Sequence, residues 1–96
     1  MSKRSIFKFR LYVTGDTQNS AQALANLTAI CREYLPNRHH VELVNLLQEP
    51  QRALADGVLM TPTLVILSPS PVRTIVGTLN QTDLVLHALG LETAAA

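Results

Sequence analysis

Three histidines, seven carboxylates and a single cysteine are the side chains of this 96-residue chain from which catalysis or metal binding would have to be built. The cysteine, Cys31, stands alone, so it neither closes an internal disulfide nor cycles between dithiol and disulfide. It falls on an apolar stripe of helical spacing, where a free cysteine packs as a small hydrophobe. His39 and His40 are adjacent, so their rings diverge, and they lack further ligands at zinc spacing; His87 is far off in sequence. They read as solvated loop residues. The carboxylates Asp16, Glu33, Glu42, Glu49, Asp56, Asp83 and Glu92 are scattered, and no pair stands out for acid–base work. Thr14-Gly15-Asp16-Thr17 has the flavour of a phosphate loop, but neither Gly-x-Gly nor Gly-Lys-Thr is present. These side chains describe a protein that is not an enzyme and holds no cofactor or metal.

Composition narrows the partners. Eight basic residues against seven acidic ones leave a formal charge of +1, too weak a field to hold nucleic acid. A local bias exists, because Lys3, Arg4, Lys8 and Arg10 all lie in the first ten positions. No apolar run approaches the roughly 20 residues that span a bilayer, so no membrane is implied. A signal-peptide pattern is missing and the lone cysteine fits a reducing compartment, so a cytoplasmic location is expected. Only 16% of the residues are charged while 47% are apolar. A chain this small has a high surface-to-volume ratio, so the low charge implies that part of its surface is covered by a partner.

The elements that must position these groups follow from periodicity. Phe7, Phe9, Leu11 and Val13 alternate with Lys8, Arg10 and Tyr12, which predicts a strand over Ile6–Val13. Leu24, Leu27, Cys31 and Tyr34 recur at helical steps, predicting a helix from about Gln18 to Leu35. Thr17, Asn19 or Ser20 would cap its start, and Pro36-Asn37 would stop it. Val41–Leu47 is apolar on both faces, as in a strand covered on two sides. Pro50 opens a short helix that Asp56-Gly57 closes. Leu64–Leu67 and Val72–Val76 read as a hairpin across Ser68-Pro69-Ser70-Pro71, ended by Gly77. Asn80 with Asp83 forms a near capping box for a last helix bearing Leu84, Leu86 and Leu89, stopped by Gly90. Residues 92–96 are expected to fray. One α/β domain spans residues 1–96, without repeat or linker.

The order β-α-β-α-β-β-α, with Pro62 between two threonines just before the third strand, is that of the thioredoxin topology, in which this proline is usually cis. Where a thioredoxin carries Cys-x-x-Cys, this chain has Thr17-Gln18-Asn19-Ser20, which excludes disulfide exchange. Ser20 at a helix start leaves open a glutathione-like small-molecule binding domain, although the chain is too short for the helical domain of a transferase. A detached sensory domain of a histidine kinase is a further alternative.

Beyond topology, the chain resembles the KaiB family of the bacterial circadian clock, from about Phe9 to Leu91. The resemblance is carried by Leu11-Tyr12-Val13-Thr14-Gly15-Asp16-Thr17-Gln18-Asn19-Ser20, by Thr61-Pro62-Thr63-Leu64, and by Pro71-Val72-Arg73 with Ile75-Val76-Gly77. The family writes these as KLYVAGNTPNS, ATPTL and PVRxIIG, and Glu49-Pro50-Gln51 matches its Asn-Pro-Gln. The resemblance implies a metamorphic regulator that performs no catalysis. Its ground state packs the carboxyl half differently and forms a homo-tetramer (or dimer). Its rarer thioredoxin-like monomer binds a KaiC-type ATPase ring, with KaiA or a histidine kinase as further partners. Met60, Thr61 and Pro62, with Arg52, Asp56 and Gly57 of the preceding helix, are then expected to meet the ring. Pro62, Pro69, Pro71 and Gly77 lie in the half that would rearrange, where slow X-Pro isomerisation is expected to retard the switch. Tyr12 and Arg73 are expected at oligomer contacts.

The chain departs from the family at four informative positions. Gly57 stands where a lysine is usual, Thr78 replaces an aspartate, Gln18 a proline, and Gln22 a frequent arginine. The first bears on the ring-facing region and the last on KaiA capture. The acidic tail of the cyanobacterial proteins is missing as well, which together suggests a divergent paralogue.

Overall fold

Alternating and helical periodicities resolve, in a computed structural model that describes residues 5–15 and 17–91, into three layers. The elements are β1 (Phe7–Val13), α1 (Gln18–Tyr34), β2 (His39–Asn45), α2 (Pro50–Ala55), β3 (Thr63–Ser68), β4 (Arg73–Val76) and α3 (Thr82–Ala88). The strands form one sheet in the order β2-β1-β3-β4. β1 runs parallel to β2 and antiparallel to β3, and β4 is antiparallel to β3. This is the expected α/β, thioredoxin-like arrangement.

The pleat of β1 sorts the two cores. Phe7, Phe9, Leu11 and Val13 face one way, joining Leu64 and Ile66 of β3 against Leu27, Ile30 and Cys31 of α1 and Leu86 of α3. Burying each large side chain here contributes about 1.5–3 kcal/mol. The opposite face is smaller: Tyr12, Val44 and Val65 pack with Ala53 and Val58 under α2. Cys31 is buried in the first core, and desolvation pushes its thiol up to about 11, so it stays protonated.

Local signals hold at most boundaries. Thr17 caps α1, its hydroxyl accepting a hydrogen bond from the Ser20 amide. Gly57, at φ 73°, turns the chain out of α2, and the Thr61–Pro62 bond is cis, as are Ser68–Pro69 and Ser70–Pro71. Four expectations need correction. β2 spans His39–Asn45 rather than Val41–Leu47, and it is an edge strand with only Val44 buried. The chain leaves the sheet at Asn45, whose side chain accepts from the Leu47 amide, so the run Leu46–Leu47 belongs to the turn; His39 and His40 are exposed strand residues, not loop residues. α3 has Gln81 at its cap position and no side-chain cap, so Asn80 and Asp83 form no capping box. Leu84 lies on the solvent side of α3, and Val85 is buried with the expected Leu86 and Leu89. Lys3, Arg4, Asp16 and residues 92–96 lie outside the described residues. Among the described residues, no helix is long and apolar enough to cross a membrane.

Candidate functional site at the α2 end of the sheet

The same pleat that sends Leu11 into the large core sends Arg10 and Tyr12 to the α2 side, where they meet polar groups from β2 and α2. The Tyr12 side chain is fully buried. Its hydroxyl donates to Asp56 Oδ2 at 2.6 Å, with the Arg52 carbonyl oxygen 3.0 Å away. Arg10 spans two carboxylates, donating from Nη1 to the same Asp56 oxygen at 2.9 Å and from Nε to Glu42 Oε1 at 3.0 Å. Arg52 continues the chain of charges, with Nη1 2.8 Å from Glu42 Oε2 and 3.2 Å from Glu49 Oε1. Two guanidinium groups thus tie three carboxylates, one of which also holds the Tyr12 phenol, and they join β1, β2 and α2.

The electrostatics follow from this geometry. Burial pushes the Tyr12 phenol up to about 12, and its bond to the Asp56 carboxylate adds to the shift. Burial alone would raise Asp56, but the Tyr12 and Arg10 hydrogen bonds outweigh it and hold the carboxyl below its ordinary range. Arg52 first and Arg10 second draw Glu42 down to about 2. Both guanidiniums are held charged by their carboxylate partners. The arrangement is cohesive: each charge already has its counter-charge, and no group is poised to move a proton near neutral pH.

In this fold Tyr12 is engaged internally. It offers no surface to a second copy in this fold, because its ring fills the core beneath α2 and its hydroxyl is spent on Asp56. Arg73, expected beside it at an oligomer contact, is half-buried here and internally engaged. It donates to the carbonyl oxygens of Ala88, Pro71 (3.1 Å) and Pro69 (3.4 Å), tying the end of α3 to the β3–β4 turn.

The expected partner-facing residues are neighbours in space but not equals in exposure. Arg52 and Asp56 belong to the ion network, Pro62 is buried, and Thr61 pairs its hydroxyl with that of Thr14. Gly57 is exposed and Met60 is 57% exposed. Sequence reasoning missed more prominent neighbours. Leu47, Leu54 and Leu59 are 71%, 70% and 86% exposed around α2. The signal lay in a six-residue helix with one buried position, Ala53. Such a helix cannot hide every leucine flanking it. Beside the Thr14–Thr61 pair, Ser20 is buried and its hydroxyl accepts from the Thr14 amide at 3.1 Å. That hydroxyl completes the α1 entry turn. Gly77, at φ 121°, ends β4, with its amide bonded to the Pro62 carbonyl.

Comparison with known proteins agrees with this geometry. Residues 10–91 match the family described as the KaiB domain. The circadian clock protein KaiB3 of Synechocystis sp. is 42% identical over 83 residues, covering 86% of this chain and 79% of the relative. The circadian clock oscillator protein KaiB of Prochlorococcus marinus (strain MIT 9313) is 40% identical over 91 residues, covering 95% of this chain and 76% of the relative. Among solved structures, the N-terminal domain of Synechococcus elongatus SasA superposes with a TM-score of 0.76 at 18% identity, over 93% of this chain and 84% of that one. Mitochondrial thioredoxin 3 of Saccharomyces cerevisiae gives 0.72 at 18% identity, over 93% and 82%. These last two share the fold.

Proposed function

The chain belongs to the KaiB family, and from that premise we propose that it is a non-catalytic regulator that binds a KaiC-type ATPase ring through the α2 end of its sheet, within a circadian or related timing pathway. The match over residues 10–91 carries this reading, because it spans α2, Thr61-Pro62-Thr63 and the whole β3–β4 hairpin. The geometry supports it in kind: a charge-satisfied end of the sheet bordered by exposed aliphatic side chains suits association more than turnover. Arg52, Asp56, Gly57, Met60, Thr61 and Pro62 form or border the proposed contact, with Arg52 and Asp56 fixing the pose of α2 from beneath.

In this reading the thioredoxin-like arrangement is the binding-competent one. A second arrangement of the carboxyl half assembles as a homo-tetramer, and the residues from Pro62 through Pro69 and Pro71 to Gly77 exchange between the two. Tyr12 and Arg73 would then give up their internal partners to meet sister subunits. KaiA and a histidine kinase are further candidate partners in the cytoplasm. Size exclusion and pull-down with a purified KaiC-type hexamer, in ATP and in ADP, test the proposal. Co-elution in at least one nucleotide state is expected, and failure in both would remove it.

A further inference from the structure

The two edges of the sheet, β2 and β4, are guarded unequally. β2 carries His39, His40 and Glu42, polar side chains of the kind that discourage a further strand. β4 carries one charge, Arg73, and its guanidinium is spent on the carbonyl oxygens of Ala88, Pro71 and Pro69. The exposed side chains at this edge, Val72, Thr74 and Val76, are β-branched and uncharged. The β3–β4 ladder also fixes which backbone groups of β4 are free. Thr74 lies opposite Val65 and Ile75 opposite Leu64, and the Gly77 amide donates to the Pro62 carbonyl at 2.9 Å. Antiparallel bonds alternate along a strand, so Arg73, Ile75 and Gly77 turn their peptide groups toward β3. Thr74 and Val76 turn theirs outward.

That edge complements itself. Directly opposed residues share a face, so two antiparallel copies of β4 must pair residues an even number of positions apart. With Thr74 on the dyad, the two Thr74 residues exchange both peptide hydrogen bonds, and Val76 of each copy stands opposite Val72 of the other. Each Arg73 then faces Ile75 of the other copy, so no like charges are opposed. The same register brings Val72 of one copy to a groove of the other. That groove, about 360 Å³, lies between the end of β4 and α3 and is lined by Ile75, Val76, Leu79 and Leu84. We propose that β4 pairs with β4 of a second copy of this chain about a two-fold axis through Thr74, joining two four-stranded sheets into one. A strand of four residues buries less than the ~1,200 Å² of a standard complex, so the pairing is reversible. It lies outside the proposed ATPase contact and does not depend on it.

The test is sedimentation of the full chain from about 0.02 to about 1 mM, with amide hydrogen exchange read at both limits. Dimer is expected to grow with concentration, and exchange at Thr74 and Val76 to slow by about threefold or more. Thr74→Lys opposes two like charges on the dyad at an exposed position, so it should keep the fold and remain monomeric. Leu43→Lys, on the other edge strand, should dimerise as the parent does. Thr74→Cys places two thiols at the ~5.5 Å Cα spacing of a hydrogen-bonded pair, within disulfide reach. Under copper–phenanthroline oxidation it should be cross-linked at least about tenfold faster than Leu43→Cys, with Cys31 buried and inert. A parent that stays monomeric throughout, association that survives Thr74→Lys, or equal cross-linking of the two cysteine variants would overturn the pairing. A larger species whose Thr74 and Val76 amides exchange as in the monomer would overturn it too, since its contact lies elsewhere.

Discussion

The Tyr12 hydroxyl lies 2.6 Å from Asp56 Oδ2, joining the middle of the sheet to the last turn of α2 across 44 residues of sequence. Because the phenol is buried and the carboxylate is ionised, this is a charge-assisted bond in a partly desolvated site. Removing the hydroxyl leaves Asp56 with Arg10 alone on that oxygen. Tyr12→Phe is expected to lower unfolding stability by about 1.5–3 kcal/mol, read by urea denaturation. A change within experimental error would show that α2 is held by apolar packing alone.

Acid should loosen the same end first. Glu42 and Asp56 both have folded-state pKa values below their ordinary ones, with Glu42 near 2. The unfolded chain therefore binds these protons more readily than the folded one. The stabilisation they give is complete above the ordinary carboxylate range and is lost as pH falls from about 4.5 toward 2. Chemical denaturation across that range should show the loss, and Glu42→Gln should flatten it. An unchanged profile in Glu42→Gln would contradict the assignment.

Alkali acts through Tyr12 with the opposite sign. Its folded pKa, about 12, lies above the ordinary 10.0, so the unfolded chain releases this proton first. Stability is complete below about pH 10 and declines as pH rises toward 12. Ultraviolet titration of tyrosinate, compared with Tyr12→Phe, should place the Tyr12 step in that upper range, and a step at the ordinary value would contradict its burial.

Much of this fold was legible from residue order, and what was not shares one physical cause. The β1 alternation told its two faces apart because period-two burial is local to a strand. The helix from Gln18 was legible for the same reason, down to its Thr17 cap. β2 was not, since a two-sided apolar run does not reveal that the strand lies at the edge of the sheet. The ion network was invisible because its partners are far apart in sequence: Arg10 meets Glu42 across 32 positions and Asp56 across 46. The internal role of Tyr12 was hidden for the same reason, since the partner of its hydroxyl, Asp56, lies 44 positions away.

Gly77 holds β4 to its exit at φ 121°, a region that side-chain-bearing residues rarely enter. A Cβ there would meet nothing within 4 Å, so the cost of substitution is confined to the backbone. Gly77→Ala is expected to destabilise this arrangement by about 1–3 kcal/mol. If a second arrangement competes, size exclusion should show material moving to the larger species. Parent-like stability and elution would mark Gly77 as an ordinary turn residue.

Arg73 reaches three carbonyl oxygens with one planar fork, which a lysine ammonium cannot reproduce. Arg73→Lys should loosen α3 from the hairpin, at a cost of about 1 kcal/mol. Hydrogen exchange should speed up in the last turn of α3 more than in α1. Equal protection in both helices would deny Arg73 this role.

The measurement that bears most directly on the proposed function is hydrogen exchange of the full chain with and without a KaiC-type hexamer, in ATP and in ADP. Slowed exchange over residues 51–61, concentrated at α2 and the segment leading to β3, is the expected result in at least one nucleotide state. A ring that leaves this segment's exchange unaltered in both states would contradict the account.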